Sequence, residues 1–425
     1  MKQRIRLIGA MIGVVVLSVV LGVVLMTGVY AIPKTMLVRN AEKTSPLFEK
    51  GSNLQYTNWA SGQMYTELAD FTDSLMVNAA ITRPTDNAMR NAMLSAHAIY
   101  PETETQQNLV RFIRGDPGYE YKNYARYWHG YLLYMIPGLC LMDLGQLRIL
   151  MLFFQFFLAI ILLWELGKRS RMLMMLFGFV ILFINPITTA LTFGEANIYC
   201  IMMIQSIIFL RREGRLKEKE YYFLFLMNGI CVAFFDLLTY PFVAFGIPML
   251  ILLALQARDL KSSLLDILRY GVSWGFGYVG MWAGKWIAGS LITGQNIIGD
   301  AANSIQYRTY GQVGDEINYG NTLKLIGRAI YSKPMVVLLL LFILMICYFM
   351  IRKGYRFEFR KGTGKNLLPM VILGLSPFAW YLIAMNHSCV HPDITYRELA
   401  ITVCGIVMIL WKLLKKPATD REIGR

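Results

Sequence analysis

The chain has little charge and almost no histidine. Of its 425 residues, 16% are Asp, Glu, Lys or Arg and only four are His, whereas a soluble domain carries about a quarter charged residues. With 56% hydrophobic residues and a mean hydropathy of +0.45, most of its surface cannot be meant for water. The six cysteines show no CxxC or Cys/His spacing of a zinc site. Cys231, Cys347 and Cys404 fall in apolar runs, where a thiol is a small hydrophobe; Cys140, Cys200 and Cys389 propose no particular disulfide. P-loop and Rossmann fingerprints are missing, as are low-complexity tracts and internal or inverted repeats. Charges in the middle of apolar runs are scarce, which argues against a transporter with a site at the bilayer midplane.

What is present is a succession of apolar runs of roughly membrane-spanning length. They fall at about 7–32, 149–167, 172–190, 194–210, 221–238, 241–257, 267–291, 335–351, 367–385 and 398–411. The expected fold is all-α, a polytopic bundle of about ten transmembrane helices. The first run has a basic start (Lys2, Arg4, Arg6) but is too long for a signal-peptide core, so it reads as an uncleaved helix. With ten crossings every basic cluster falls on one side: Lys168/Arg169/Arg171, Arg211 to Lys219, Arg258/Lys261, Arg352 to Lys365 and Lys412 to Arg425. The positive-inside rule makes that side cytoplasmic and places both termini there. The net charge of +15 is therefore a topology signal, and no nucleic-acid partner is expected.

The organisation that follows is a first helix (1–32), a long outer loop (33–148), a nine-helix bundle (149–416) with outer loops 292–334 and 386–397, and a cytoplasmic tail (417–425). The first loop is far beyond an ordinary connector and should hold helices of its own. Met64 to His97 has helical apolar spacing, with Arg83-Pro84-Thr85-Asp86 as a break and N-cap. The aromatic stretch from Tyr127 to Pro137 reads as an interfacial or re-entrant helix, because counting it as a span would turn the basic cluster at 168–171 outward.

Function should concentrate on the outer side. All four histidines (His97, His129, His387, His391) fall there, with the carboxylates Asp70, Asp73, Glu195, Asp236 and Asp393. The segment Asn386 to Arg397 is the densest knot of polar groups, wedged between two apolar runs. Ionisable groups at such a boundary mark functional sites more often than plain turns. Asp70 and Asp73 lie beside apolar residues, which suits a general base or a ligand pair for Mg²⁺ or Mn²⁺, though Asp is equally a helix cap. His387, His391 and Arg397 suit an anion, with Arg forking onto phosphate; contact with lipid headgroups is the plainer alternative. Pro392 disfavours helix at position 391. Lys285, between Trp282 and Trp286, faces a cavity or snorkels to the membrane surface. Glu195 and Asp236 point at the same outer vestibule or cap helices, and Arg126 and His129 border its floor.

These pieces together resemble the GT-C superfamily of multi-span glycosyltransferases that use polyprenyl-phosphate sugars. The likeness rests on a first helix followed by a long outer loop bearing acidic residues (Asp70, Asp73), interfacial helices at 127–143 and later outer loops rich in His and Arg. The resemblance implies that Asp73 or Asp70 is the base or metal ligand and that His387, His391, Arg397 and Lys285 hold the lipid phosphate. It further implies a sugar passing to a glycan, lipid or protein acceptor at the outer face of a bacterial plasma membrane. The carboxylates come about forty residues after the first span, later than the family pattern. A polysaccharide polymerase or ligase, or a flippase for lipid-linked glycans, would need the same outer-face Arg and His. Membrane acyl transfer would want a histidine deep in a span, and none is placed there.

Overall fold

A computed structural model describes residues 2–49, 54–256, 258–311, 317–359 and 363–416; the expected tail 417–425 lies outside the described residues. The chain opens on α1 (Lys2–Tyr30). The first loop then supplies α2 (Thr35–Thr44), α3 (Asp70–Ile81), α4 (Ala88–Leu94) and α5 (Thr105–Arg114). Two short strands, β1 (His97–Ile99) and β2 (Glu120–Lys122), pair antiparallel beside them. The expected break is real, and the cap of α4 falls one residue beyond that segment, where Asn87 accepts the Arg90 N–H. The loop ends in α6 (Leu132–Leu141).

The bundle follows as α7 (Leu144–Gly167), α8 (Arg171–Ile184), α9 (Pro186–Leu191), α10 (Phe193–Arg211), α11 (Glu218–Phe235), α12 (Val243–Leu255) and α13 (Leu260–Thr293). The second long loop is helical too, forming α14 (Ile297–Tyr310) and α15 (Tyr319–Ile330). After α16 (Lys333–Lys353) come α17 (Thr363–Gly374), α18 (Ser376–Ile383), α19 (Met385–Val390), α20 (Pro392–Thr395) and α21 (Ala400–Leu413). A two-residue strand pair, β3 (Arg356–Phe357) and β4 (Leu414–Lys415), ties the end of α21 to the α16–α17 connector.

Six helical segments among the described residues are long and apolar enough to cross a membrane: Ile5–Tyr30, Leu144–Gly167, Phe193–Arg211, Lys333–Lys353, Gly364–Ile383 and Pro392–Leu413. The other four expected spans fall on helices that are shorter or more polar. α8 stops at Ile184 because Asn185 takes a left-handed φ of 65° and Pro186 begins a new helix. α12 has 13 residues, α11 opens on Glu218-Lys219-Glu220, and α13 carries Lys261, Asp266, Arg269 and Lys285. Val337, Leu340, Leu341 and Leu344 on α16 and Phe153, Phe157, Ile160 and Trp164 on α7 are exposed. Continuous apolar faces of that size fit hydrocarbon, not water.

Two corrections concern position. The 127–137 stretch does not lie on a surface: Trp128, Leu132, Met135 and Ile136 are fully buried, and the Trp128 indole donates to Met281 O at 2.7 Å. Helix begins only at Leu132, and the aromatic residues before it plug the space between the first loop and α13. Segment 386–397 is helical except at His391, whose φ and ψ of −121° and 56° break it before Pro392, as the proline requires.

The packing seam that orders the bundle joins α11 to α13. A Cβ on Gly229 would strike Trp274 O, and one on Gly277 would strike Leu226 O, so the two backbones touch because both positions lack side chains. Gly229→Val should force the helices apart and cost about 1–3 kcal/mol, read as a lower midpoint of thermal unfolding in detergent. An unchanged midpoint would mean that the seam yields without loss.

Candidate functional site

The acidic pair of the first loop is real and closed. Asp70 and Asp73 occupy the first turn of α3, where the helix dipole favours anions, and both are fully buried. Arg148, in the first turn of α7, enters between them. Its Nη2 lies 2.6 Å from Asp70 Oδ1 and 2.7 Å from Asp73 Oδ2, and its Nε donates to Asp73 Oδ2 at 3.2 Å. The remaining oxygens accept backbone N–H groups, Asp70 Oδ2 from Leu54 at 2.6 Å and Asp73 Oδ1 from Gly194 at 3.3 Å. Burial pushes the Asp73 carboxyl up to about 6, against the opposing pull of Arg148. All four carboxylate oxygens are occupied, so the expected base has no face open to an acceptor. The pair also does not fit Mg²⁺ or Mn²⁺, because the Arg148 guanidinium already holds the space between the two carboxylates.

Arg397 is likewise committed. Its Nε donates to Ile184 O at 3.0 Å, Nη1 to Asp393 O at 2.8 Å and Ile394 O at 3.3 Å, and Nη2 to Thr188 Oγ1 at 2.7 Å. Glu195 Oε2 lies 2.8 Å from the same Nη2. Four of the guanidinium's five N–H donors are spent on these hydrogen bonds, and the buried Glu195 carboxylate stands beside Nη2 as counter-charge, although its Oε2 makes no hydrogen bond. Gly194 and Glu195 open α10 side by side, one bonded to Asp73 and the other to Arg397. The first turn of α10 thus brings together two segments some three hundred residues apart, but as interlocked ion pairs instead of an open cleft.

Three further expected residues turn out to be fasteners. Lys285 is fully buried and its Nζ donates to Met93 O at 2.9 Å and Ala92 O at 3.3 Å, closing the C-terminal turn of α4 where a cation is favoured. His129, at φ 56°, donates from Nε2 to Tyr124 O at 2.8 Å and accepts the Tyr131 hydroxyl at Nδ1, also at 2.8 Å. Burial lowers its pKa to about 3, so it is a neutral strut. Asp236 closes the turn after α11, accepting the Thr239 N–H at 2.9 Å and the Thr239 hydroxyl.

An open cavity exists elsewhere at the same end of the bundle. It encloses about 440 Å³ between the later half of α13, α14 and the α18–α19 junction. One wall is formed by Tyr278, Trp282 and Trp286, part of an aromatic ladder at helical i, i+4 spacing on α13: Tyr278 stacks on Trp274 below it at 4.9 Å, Trp282 tilts against Tyr278 at 5.0 Å, and Trp286 follows at 5.9 Å. Trp380 and Ile383 form the opposite side. Two arginines border this apolar space, Arg126 and Arg308. Arg126 rests on the Tyr124 and Tyr127 rings and lies 3.5 Å from the half-exposed Asp300.

Arg308 bonds to Nδ1 of His387. Since a guanidinium only donates, Nδ1 accepts and Nε2–H donates to Leu238 O at 2.6 Å. Burial, then the Arg308 charge, hold the His387 pKa well below the usual value, in keeping with a neutral ring. His391 lies 5.1 Å from His387, ring to ring, and is only partly buried. Burial lowers its pKa too, with Asp393 pulling up and Arg308 pushing down. Arg126 and Arg308 therefore border the cavity, and His387 and His391 lie behind Arg308, outside its lining, while Asp70, Asp73, Arg397, Lys285, His129, Glu195 and Asp236 are committed to internal fastenings. Polar atoms without partners cluster under the ladder. The Phe242 N–H holds Glu398 Oε1 at 3.1 Å, and the Phe242 ring stacks on Trp380 and packs against Trp274. Around it Glu398 Oε2, Tyr278 Oη and Trp380 Nε1 find no hydrogen-bond partner.

Comparison with known proteins leaves this geometry to speak alone. No family model, no curated protein and no solved structure matches the chain.

Proposed function

We propose that the protein is a membrane glycosyltransferase that takes its sugar from a polyprenyl-phosphate donor at the aromatic cavity. The observation that carries this reading is a long apolar slot with two arginines on its border, Arg126 and Arg308. That combination suits an amphiphile with an apolar tail and an anionic head: the tail along Trp282 and Trp286, the phosphate between the guanidinium groups. Tyr278 and Trp380 line the slot with their rings, which offers flat apolar faces to a sugar ring or a polyprenyl tail. In the accompanying topology the chain crosses a bacterial plasma membrane ten times with both termini cytoplasmic, and the cavity opens toward the outer leaflet.

The reaction assigns each group one task. An acceptor hydroxyl attacks the anomeric carbon, the bond from that carbon to the phosphate oxygen breaks, and polyprenyl phosphate leaves with the electron pair. His391, neutral and beside Asp393 and Arg308, takes the hydroxyl proton, and the arginines balance the charge gathering on the departing phosphate. No metal is assigned to this site.

A second reading keeps the same cavity without group transfer: a polymerase or ligase partner, or a flippase that grips lipid-linked glycans. The sequestration of Asp70 and Asp73 around Arg148 favours it, because the carboxylates that the family resemblance makes catalytic are occupied.

Binding tests the common core of both readings. Decaprenyl phosphate titrated onto protein in nanodiscs should bind Arg308→Ala and Arg126→Ala roughly ten- to a hundredfold more weakly, the range expected for a lost charged hydrogen bond. Full affinity in both variants would remove the cavity from consideration.

A further inference from the structure

The opposite end of the bundle carries a larger recess that plays no part in the proposed reaction. It measures about 990 Å³ and lies between the first turns of α1, the start of α11 and the first half of α13. Its origin is a splay between helices. α1 is seated on α13 where Gly280 faces Val15 and Gly284 faces Val19, and again where Gly22 faces Met281, with Trp128 and Phe234 alongside. From Met11 back to Arg6 that contact is lost, and α1 leaves a wedge open against α11 and α13.

The wedge is amphipathic in an ordered way. Leu7, Met11, Phe223, Val272 and Phe276 line its interior, while Arg6, Lys217, Lys219 and Arg269 gather at its edge. Glu218 is the one acidic residue in the lining, 3.5 Å from Arg269, with both side chains well exposed. Four cations against one carboxylate leave a positive rim over an apolar slot. A basic pocket between helices on the side carrying the basic connectors is the arrangement that holds an anionic headgroup over its acyl chains.

We infer that this wedge is a binding site for an anionic phospholipid, phosphate at Arg6, Lys219 and Arg269 and an acyl chain against Val272 and Phe276. The inference stands apart from the proposed transferase, since it uses other residues at the other end of the molecule. Charge alone would draw any anion to the rim; the apolar slot adds the requirement for a chain. The same slot with an uncharged rim would accept zwitterionic lipid equally well, so the four cations set the preference.

Delipidated full-length protein in detergent provides the test, with native mass spectrometry counting bound lipid and thermal unfolding reading its effect. Phosphatidylglycerol should bind and raise the unfolding midpoint; phosphatidylcholine of the same chain length, and inorganic phosphate at equal concentration, should not. The Arg6→Ala/Lys219→Ala/Arg269→Ala variant should bind phosphatidylglycerol roughly a hundredfold more weakly, about fivefold for each cation removed. Arg352→Ala/Lys353→Ala, basic residues ending α16 outside the wedge, should leave binding intact. Val272→Trp fills the slot while keeping every charge, and should abolish binding even if the triple variant proves too unstable to purify. Equal responses to the two lipids, a response to inorganic phosphate alone, or retained binding in Val272→Trp would each overturn the assignment.

Discussion

Arg148→Ala should be the most damaging single substitution in the chain. It would strand Asp70 and Asp73 inside the protein with their shared counter-charge gone, and breaking a buried pair from one side costs about 3–5 kcal/mol. Expression of folded protein and the thermal midpoint in detergent are the readouts, and a loss below about 1 kcal/mol would contradict the clamp. Replacing the whole set, Asp70→Asn/Asp73→Asn/Arg148→Met, should recover much of the loss, because no uncompensated charge then remains. pH gives a second view of the same cluster. The Asp73 carboxyl titrates near 6 in the folded chain, against about 3.9 when unfolded. Its folded pKa is raised, so the native state binds this proton more tightly. Stability from this group is greatest below the unfolded pKa and declines as pH climbs from about 4 to 6. Asp73→Asn should flatten that slope.

The second large effect separates catalysis from architecture. Under the proposed reaction, His391→Gln should lower sugar transfer from a polyprenyl-phosphate donor by 10²–10⁴-fold, the usual worth of a general base. Asp73→Asn should lower it far less, since its carboxylate oxygens serve Arg148 and Gly194. In the wild type, transfer should fall on acidification with a midpoint below 6.5, as His391 becomes protonated. The reverse pattern, full activity in His391→Gln with collapse in Asp73→Asn, would hand the base back to the first loop and require Arg148 to move during turnover. Undiminished transfer in both variants would favour the lipid-handling reading.

Much of the architecture is legible in the sequence because it depends on runs and segregation. The apolar stretches, the helical first loop and the break at Pro392 all follow from local chemistry. Four of the expected spans fall on shorter or more polar helices for local reasons too: the Asn185-Pro186 pair ends α8 at Ile184, and scattered polar residues dilute α13. The site was harder to read. Segment 386–397 stands out by composition, yet composition cannot say that Arg397 points inward to Glu195 while His391 packs beside His387, the partner of the cavity-lining Arg308. Arg148 looks like an ordinary charge at the end of a span, and only folding places it between two aspartates from another helix. Arg308 sits in a Gly-, Asn- and Tyr-containing loop with no periodic signal beyond the 14 residues of α14. The ladder Trp274, Tyr278, Trp282, Trp286 was visible as i, i+4 spacing, but aromatic residues in an apolar helix are ordinarily membrane-belt anchors. What distinguishes them is a cavity on one side, which no spacing encodes.

α13 has a consequence beyond either binding surface. At 34 residues it is a rod of ~50 Å, well over the hydrocarbon thickness of a bilayer. Arg269 and Phe276 sit on it at the anionic-lipid wedge, Trp282 and Trp286 at the aromatic cavity. A stiff rod converts a small change of tilt into opposed displacements along it: Arg269 and Trp286 are about 25 Å apart on the helix, so about 5° shifts one relative to the other by ~2 Å. Thermodynamic reciprocity would then relate the two proposed sites. Whatever factor an occupied wedge imposes on donor affinity, the donor must impose the same factor on the wedge. A membrane's own lipid composition would in that way set the gain of the protein embedded in it.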